Sequence, residues 1–337
     1  MYKVGMYGGS FNPLHLGHVN DIIKASNQCE ELYVVLSVMN NSLEIDHRER
    51  FKWLKNITKH MSNVKVIEIF DDNSSKDSYD WDKGASDIKS IIAKKIDVVF
   101  AGDDYKDKNI WEKLYPEAEV IYFSRKEVNV SSTMIRENPY KYFDYLPSVV
   151  QRYYIKKVCI IGTESCGKTT LVENLALYFN TTRVLEAGRY VCDDAGGIDN
   201  MQKYHYFDIL FKHKQLEREA LEKANKVLFI DTDSLITLYY YKLGFSTNNK
   251  IDKAFKKVAT GISDLNDYDL YLFLEPDVAW IQDGTRTYGE DKVREDNNLM
   301  LKKLLKDQGI KYLSIKGNYE ERYEKACEAV VKLLGGD

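Results

Sequence analysis

Near the middle of the chain the apolar run KVCIIG at 157–162 leads straight into Gly162-Thr163-Glu164-Ser165-Cys166-Gly167-Lys168-Thr169 and continues as TTLVENLALYF at 169–179. A strand, a loop that fits GxxxxGK(S/T) at every fixed position, and a helical pattern commit this segment to a βα unit of a parallel sheet. Such a loop is an anion nest, because its backbone N–H groups and the opening turn of the helix converge on one point. Lys168 is expected to reach the β and γ phosphates of ATP and Thr169 to ligate magnesium, with Thr170 completing the site. For Cys166, a small residue filling a loop position is the simpler reading than a redox switch.

A βα unit opening at residue 157 leaves a whole domain's length of chain before it. The 337 residues exceed what one hydrophobic core normally organises, so two domains are expected. Before the loop, β-rich runs at 4–9, 31–38, 64–70, 96–102 and 119–124 alternate with amphipathic stretches at 18–28, 47–61 and 84–95. After it, strands are expected at 182–186, 226–231, 268–274 and 311–315, and helices at 200–224, 291–307 and 319–334. The expected architecture is α/β: two doubly wound parallel-sheet domains, 1–150 and 151–337, joined by the aromatic segment NPYKYFDYLP.

Hydrophobic residues at 44% suffice for packed cores, and a net charge of −4 gives no global attraction to nucleic acid or to an anionic membrane. Small-molecule partners are therefore expected. No leader-like segment opens the chain and no uninterrupted apolar run approaches a membrane span. Five widely spaced cysteines without a CxxC pair suggest neither disulfides nor zinc and fit a reducing cytoplasm. Whether identical chains assemble is not written in the sequence.

The first strand also ends in a candidate site. Gly8-Gly9-Ser10-Phe11-Asn12-Pro13-Leu14-His15-Leu16-Gly17-His18 puts glycines and two imidazoles between a strand and a helix N-terminus, where phosphate is favoured. His15 and His18 can donate hydrogen bonds to charge developing on a transferring phosphate. Further along, Ser131, Ser132 and Thr133 can cap a helix, with Arg136 one turn on as a cation. Gly102 and Asp104 follow an apolar strand and suit either nucleotide contact or a plain strand exit. Trp81 offers a flat face for a pyridine ring or a structural core residue.

In the second half, Glu186 and Arg189 stand at a strand exit, where the carboxylate can hold or deprotonate a sugar hydroxyl. They are expected on the strand beside the phosphate loop. The run VLFIDTD at 227–233 is an apolar strand ending in Asp231 and Asp233, suited to metal or substrate. Trp280 and Asp283 can bind a nucleoside and Arg286 can neutralise transition-state charge from a lid. The choice of base among Glu186, Asp231 and Asp233 is open at this level.

GGSFNPLHLGH and VSSTMIR resemble the two signatures of the HxGH nucleotidyltransferase superfamily. With GTESCGKTT, NTTRVLEAGR, FIDTD and WIQDGTR they resemble the NadR family over essentially the whole chain. That resemblance implies a bifunctional enzyme using ATP and Mg2+ twice. The second domain would convert nicotinamide riboside to nicotinamide mononucleotide (NMN), and the first would join NMN to ATP, giving NAD and pyrophosphate. Some members carry an N-terminal helix-turn-helix domain, whereas here the first strand begins at residue 3, so DNA binding is not expected. Ser10 in the GGSFNP form looks like nicotinate-mononucleotide and pantetheine-phosphate adenylyltransferases, which keeps another acceptor open. A nucleotide sensor without turnover is the remaining alternative.

Overall fold

The computed structural model describes residues 1–39, 45–71, 79–245, 249–278 and 291–336. The chain divides into two compact units, Met1–Tyr153 and Tyr154–Asp337.

In the first unit the order is β1 (Tyr2–Gly9), α1 (Leu16–Ser26), β2 (Cys29–Met39), α2 (His47–Thr58), β3 (Val64–Asp71), α3 (Trp81–Ile92), β4 (Val98–Gly102), α4 (Ile110–Leu114), β5 (Glu119–Phe123), α5 (Ser132–Glu137) and α6 (Ser148–Tyr154). The strands form one parallel sheet in the order β3-β2-β1-β4-β5. That order switches direction at β1, so the crevice at the carboxyl end of β1 and β4 is where a ligand is expected. The central strands are apolar on both faces, as a sheet covered on both sides requires: Met6, Leu32, Val34, Leu36 and Val98–Phe100 are all fully buried.

The second unit runs β6 (Lys156–Gly162), α7 (Lys168–Tyr178), β7 (Arg183–Val184), α8 (Ala187–Asp194), α9 (Lys203–Leu221), β8 (Val227–Asp231), α10 (Ser234–Gly244), α11 (Lys250–Leu265), β9 (Leu270–Leu274), α12 (Asp291–Asp307), β10 (Leu313–Ile315) and α13 (Tyr319–Leu333). Its strands are again parallel, ordered β10-β9-β6-β8-β7. This corrects one expectation. The strand leading to Glu186 does not lie beside β6, because β8 intervenes and brings Asp231 into register with Ile160. A βα crossover need not join neighbouring strands, so sequence order gave the wrong neighbour.

The sequence reading did not name α10 or α11. Helix α10 buries Ser234–Tyr239 and Tyr241, so all but its last turn lacks a solvent face and it shows no apolar stripe with a 3.6-residue period. At the other extreme, Gly162 is a position only glycine suits. Its φ is +151°, and a Cβ there would stand 2.7 Å from the Leu274 carbonyl oxygen across the β6–β9 pairing.

Candidate active sites

In the first unit two signatures far apart in sequence meet at the end of β1. Ser131 caps α5 by accepting a hydrogen bond from the Met134 N–H at 3.2 Å. Ser132 Oγ donates to the Pro13 carbonyl at 3.0 Å, and Arg136 Nη1 donates to the Asn12 carbonyl. Arg136 Nη2 also reaches Thr133 Oγ1 at 3.1 Å. The same loop is held from below by Arg50 of α2, fully buried, whose Nη1 donates to the Ser10 carbonyl at 2.7 Å. Buried charge is costly unless paired or hydrogen-bonded, so Arg50 is committed to holding the loop at Ser10, and the exposed Arg136 ties it a second time at Asn12.

His15 is the N-cap of α1, and the two imidazoles stack with centroids 3.7 Å apart and planes at 23°. The His15 backbone N–H donates to His18 Nδ1 at 3.4 Å, which places the proton of a neutral His18 ring on Nε2. Phe11, itself buried, meets His18 edge-on at 5.1 Å; its side chain positions the imidazole. Burial, reinforced by the charge of Arg125, pushes His15 down to about 3. His18 lies well below the ordinary value through burial, then the His15 and Arg125 charges. Both rings are therefore neutral hydrogen-bond donors at pH 7 in the free protein.

Arg125 is a residue the sequence reading missed. It follows β5 in the run SRKEVNV, which reads as a charged turn. Its Nε donates to Asp104 Oδ1 at 3.0 Å and its backbone N–H to Asp103 Oδ1 at 3.2 Å. The guanidinium lies over Gly102, where a Cβ would come within 2.5 Å of Nε. His15, Gly17, Asp21 and Arg125 share a recess, and Tyr7 closes it from behind by donating to Asp21 Oδ2 at 2.9 Å. Gly8 and Gly9 pair with Val35 and Leu36 at the edge of the same crevice. Trp81 packs edge-on with Tyr79, Trp111 and Tyr105 at 4.9, 5.6 and 6.0 Å, against the hydrophobic core of this unit.

The phosphate loop of the second unit is closed on itself by Lys168, whose Nζ donates to the Thr163 carbonyl at 2.8 Å from a buried position. Ser165 and Gly167 take positive φ, 59° and 83°, which turns successive N–H groups inward, and Glu164 and Cys166 lie between and beside them. Cys166 is buried, its sulfur 3.4 Å from Thr163 Oγ1. Thr170 follows Thr169 in the first turn of α7. Arg322 of α13, also missed from sequence, braces the loop: Nη1 donates to the Cys166 carbonyl at 2.7 Å and Nη2 to the Glu275 carbonyl at 2.8 Å.

Thr169 Oγ1 donates to Asp231 Oδ2 at 2.6 Å, while Asp231 Oδ1 is buried without a hydrogen-bond partner. A hydroxyl paired with a half-satisfied buried carboxylate is a donor set suited to magnesium carried in by a nucleotide. Among the described residues no group of three or more acidic, histidine or cysteine side chains forms a metal cage. Burial, then the nearby Glu186 charge, raises Asp231 to about 6, with Lys168 acting in the opposite direction. Asp233 also stands at about 6 through burial, but its oxygens are occupied. Oδ1 accepts from Leu235 and Ile236 N–H at 3.0 and 3.1 Å as the cap of α10, and Oδ2 from the Tyr271 hydroxyl at 3.2 Å. Glu186 precedes α8 with no side-chain capping bond, and its charge acts on Asp231 and on Tyr240, a further residue not foreseen. The Arg189 charge lowers Asp231, which places it at the same end of the sheet. Trp280, Asp283 and Arg286 lie outside the described residues.

A stability effect follows for Asp231. A carboxyl raised from 3.8 to about 6 is protonated more readily in the fold than in the unfolded chain. Its contribution is present below about pH 4 and is lost as pH rises to about 6. Asp231→Asn keeps the acceptor for Thr169 and removes the buried charge. At pH 7 it is expected to stabilise the unliganded second unit by roughly 2 kcal/mol, raising Tm by about 5 °C, with the gain vanishing at pH 4. Calorimetry of both proteins at the two pH values checks this; a variant that melts lower at pH 7 would contradict the assignment.

Comparison with known proteins agrees with the folds of both units. A Cytidylyltransferase-like family model matches residues 6–138 and an AAA domain model matches residues 157–322. The trifunctional NAD biosynthesis/regulator protein NadR of Salmonella typhimurium is 29% identical over 99% of this chain and 84% of its own length. Its Escherichia coli counterpart is 29% identical over 98% and 83%. The phosphopantetheine adenylyltransferase of Mycoplasma mycoides is 34% identical, covering 40% of this chain and 95% of that enzyme. A NadR crystal structure in complex with NR superposes with a TM-score of 0.81 at 24% identity, over 100% of this chain and 97% of that one. That likeness carries the fold of both units. With two parallel sheets of this order, a cytidylyltransferase-like first unit and a phosphate-loop second unit, and whole-chain relatives of one kind, the chain belongs to the NadR family.

Proposed function

We propose that this chain makes NAD in two consecutive ATP-dependent steps. The second unit phosphorylates the 5'-hydroxyl of nicotinamide riboside, giving NMN and ADP. The first transfers the adenylyl group of a second ATP to the NMN phosphate, giving NAD and pyrophosphate. The observation that supports the reading is a pair of chemically different candidate phosphate sites on one chain whose whole-chain relatives are named for NAD biosynthesis. A relative solved with NAD and AMP-PNP has the same fold.

In the second unit Lys168 and the loop amides hold the β and γ phosphates. Thr169 and Asp231 would hold Mg2+, which supplies charge neutralisation to those phosphates. With Asp231 shared between Thr169 and the magnesium it would hold, and Asp233 capping α10, Glu186 is the carboxylate left to take the proton of the attacking hydroxyl. Arg189 stands beside it for substrate. In the first unit the NMN phosphate oxygen attacks the α-phosphorus of ATP and pyrophosphate leaves. His15 and His18 donate to the developing charge, and Arg136 and Arg125 supply cations. Magnesium accompanies ATP there too. The expected location is the cytoplasm, where ATP and the riboside meet; among the described residues no helix is long and apolar enough to cross a membrane.

The identity of the first unit to phosphopantetheine adenylyltransferases favours one second reading, in which the acceptor is pantetheine phosphate. One assay decides. Purified chain, ATP and magnesium are offered nicotinamide riboside, NMN, nicotinate mononucleotide and pantetheine phosphate in turn, with ADP and pyrophosphate followed separately. ADP from the riboside and pyrophosphate with NAD from NMN are expected. Pyrophosphate only with pantetheine phosphate would overturn the first assignment, and no ADP from the riboside the second.

A further inference from the structure

Helix α13 starts beside the phosphate loop of the second unit and is tied there firmly. Arg322, 2% exposed, donates to the carbonyls of Cys166, Glu275 and Gly317 at 2.7–2.8 Å and pairs with Asp277. The first turn is capped from both sides: Asn318 Oδ1 accepts from the Glu320 and Glu321 N–H groups at 3.0 Å, and the Glu321 carboxylate accepts from the Asn318 N–H at 3.0 Å. Between these anchors stands Tyr319. Its ring lies against Gly167, where a Cβ would be 3.1 Å from Cε1, and 53% of the residue is exposed. Gly167, at φ +83°, is the glycine before the phosphate-binding Lys168.

A half-exposed aromatic ring on a rigid helix start contributes little to the core of this unit. It does present a flat apolar face to any group tethered to phosphates in the loop. We propose that Tyr319 is the stacking platform for the purine base of ATP bound to the second unit. This rests on reading that unit as an ATP-dependent kinase, and it adds a base site to a phosphate site. A purine offers a π face for such a ring, and stacking of this kind is tolerant of base identity. Arg322 acts through position alone, holding loop and platform at a fixed separation.

The test separates a base platform from a mere brace on the loop. In the ADP-forming reaction Tyr319→Ala is expected to raise KM for ATP about tenfold, with kcat and the KM for the riboside little changed. Inorganic tripolyphosphate, which carries phosphates and no base, should inhibit wild type and variant with the same Ki, and Tyr319→Phe should restore the KM. An unchanged KM for ATP, or a Ki for tripolyphosphate that rises in parallel, overturns the proposal. Should the wild-type chain form no ADP from the riboside, the kinase reading fails and the platform is tested alone through Tyr319→Trp. Emission above the wild-type background that changes with ATP and not with tripolyphosphate supports it, and no ATP-specific change overturns it.

Discussion

Lys168→Ala is expected to lower ADP formation from nicotinamide riboside by at least about 10³-fold while leaving pyrophosphate formation from NMN within about twofold of wild type. Lys168 is buried, and its ammonium rests on the Thr163 carbonyl of its own loop. A cation held dry and already aimed at the loop centre interacts more strongly with phosphate than one in water, and needs little reorganisation when the transferring group acquires charge. A loss of about 4 kcal/mol of transition-state stabilisation corresponds to that factor. The fold should tolerate the change, because Arg322 still braces Cys166 and Thr169 still bonds Asp231. Steady-state rates for each product and the melting temperature check the prediction. Retained ADP formation would remove the loop from the kinase step, and a parallel loss of pyrophosphate would mean that the two units do not act independently.

How far the sequence led can be judged on single elements. The phosphate loop was legible because glycine, lysine and threonine at fixed spacing follow from backbone geometry and charge, and the structure has the strand, loop and helix where the pattern put them. The meeting of Ser132 and Arg136 with Pro13 and Asn12 was legible only as a resemblance, since nothing local ties residue 132 to residue 13. Arg125, Arg322 and Tyr319 belong to no motif in the sequence. Each is one polar or aromatic residue in a charged stretch, made relevant by the crossing of distant elements. The available hint for Arg125 was its place two residues after β5, at the carboxyl edge of a parallel sheet, where ligands gather. Strand order was misread at β7 for a related reason: hydrophobic patterning says that a segment is a strand, and packing decides beside which.

His18→Ala is the counterpart in the first unit, with pyrophosphate formation expected to fall about 10³-fold and ADP formation to stay within about twofold. The imidazole is fixed on three sides: the His15 N–H occupies Nδ1, the His15 ring stacks at 3.7 Å, and Phe11 meets it edge-on at 5.1 Å. Nε2–H is then the one donor it offers, and neutral at pH 7 because burial holds the ring well below its ordinary value. A preset neutral donor has two consequences. His18→Gln, which keeps an N–H at similar reach, should recover part of the rate, while alanine should not. And kcat/KM for pyrophosphate release, which reports ionisations of the free enzyme, should show no histidine titration between about pH 5.5 and 8, since His15 stands at about 3 and His18 is likewise depressed. A limb near pH 6.5 that disappears in His18→Gln would mean that the charged imidazolium binds the triphosphate, and electrostatic attraction rather than a preset hydrogen bond would then be the origin of its effect.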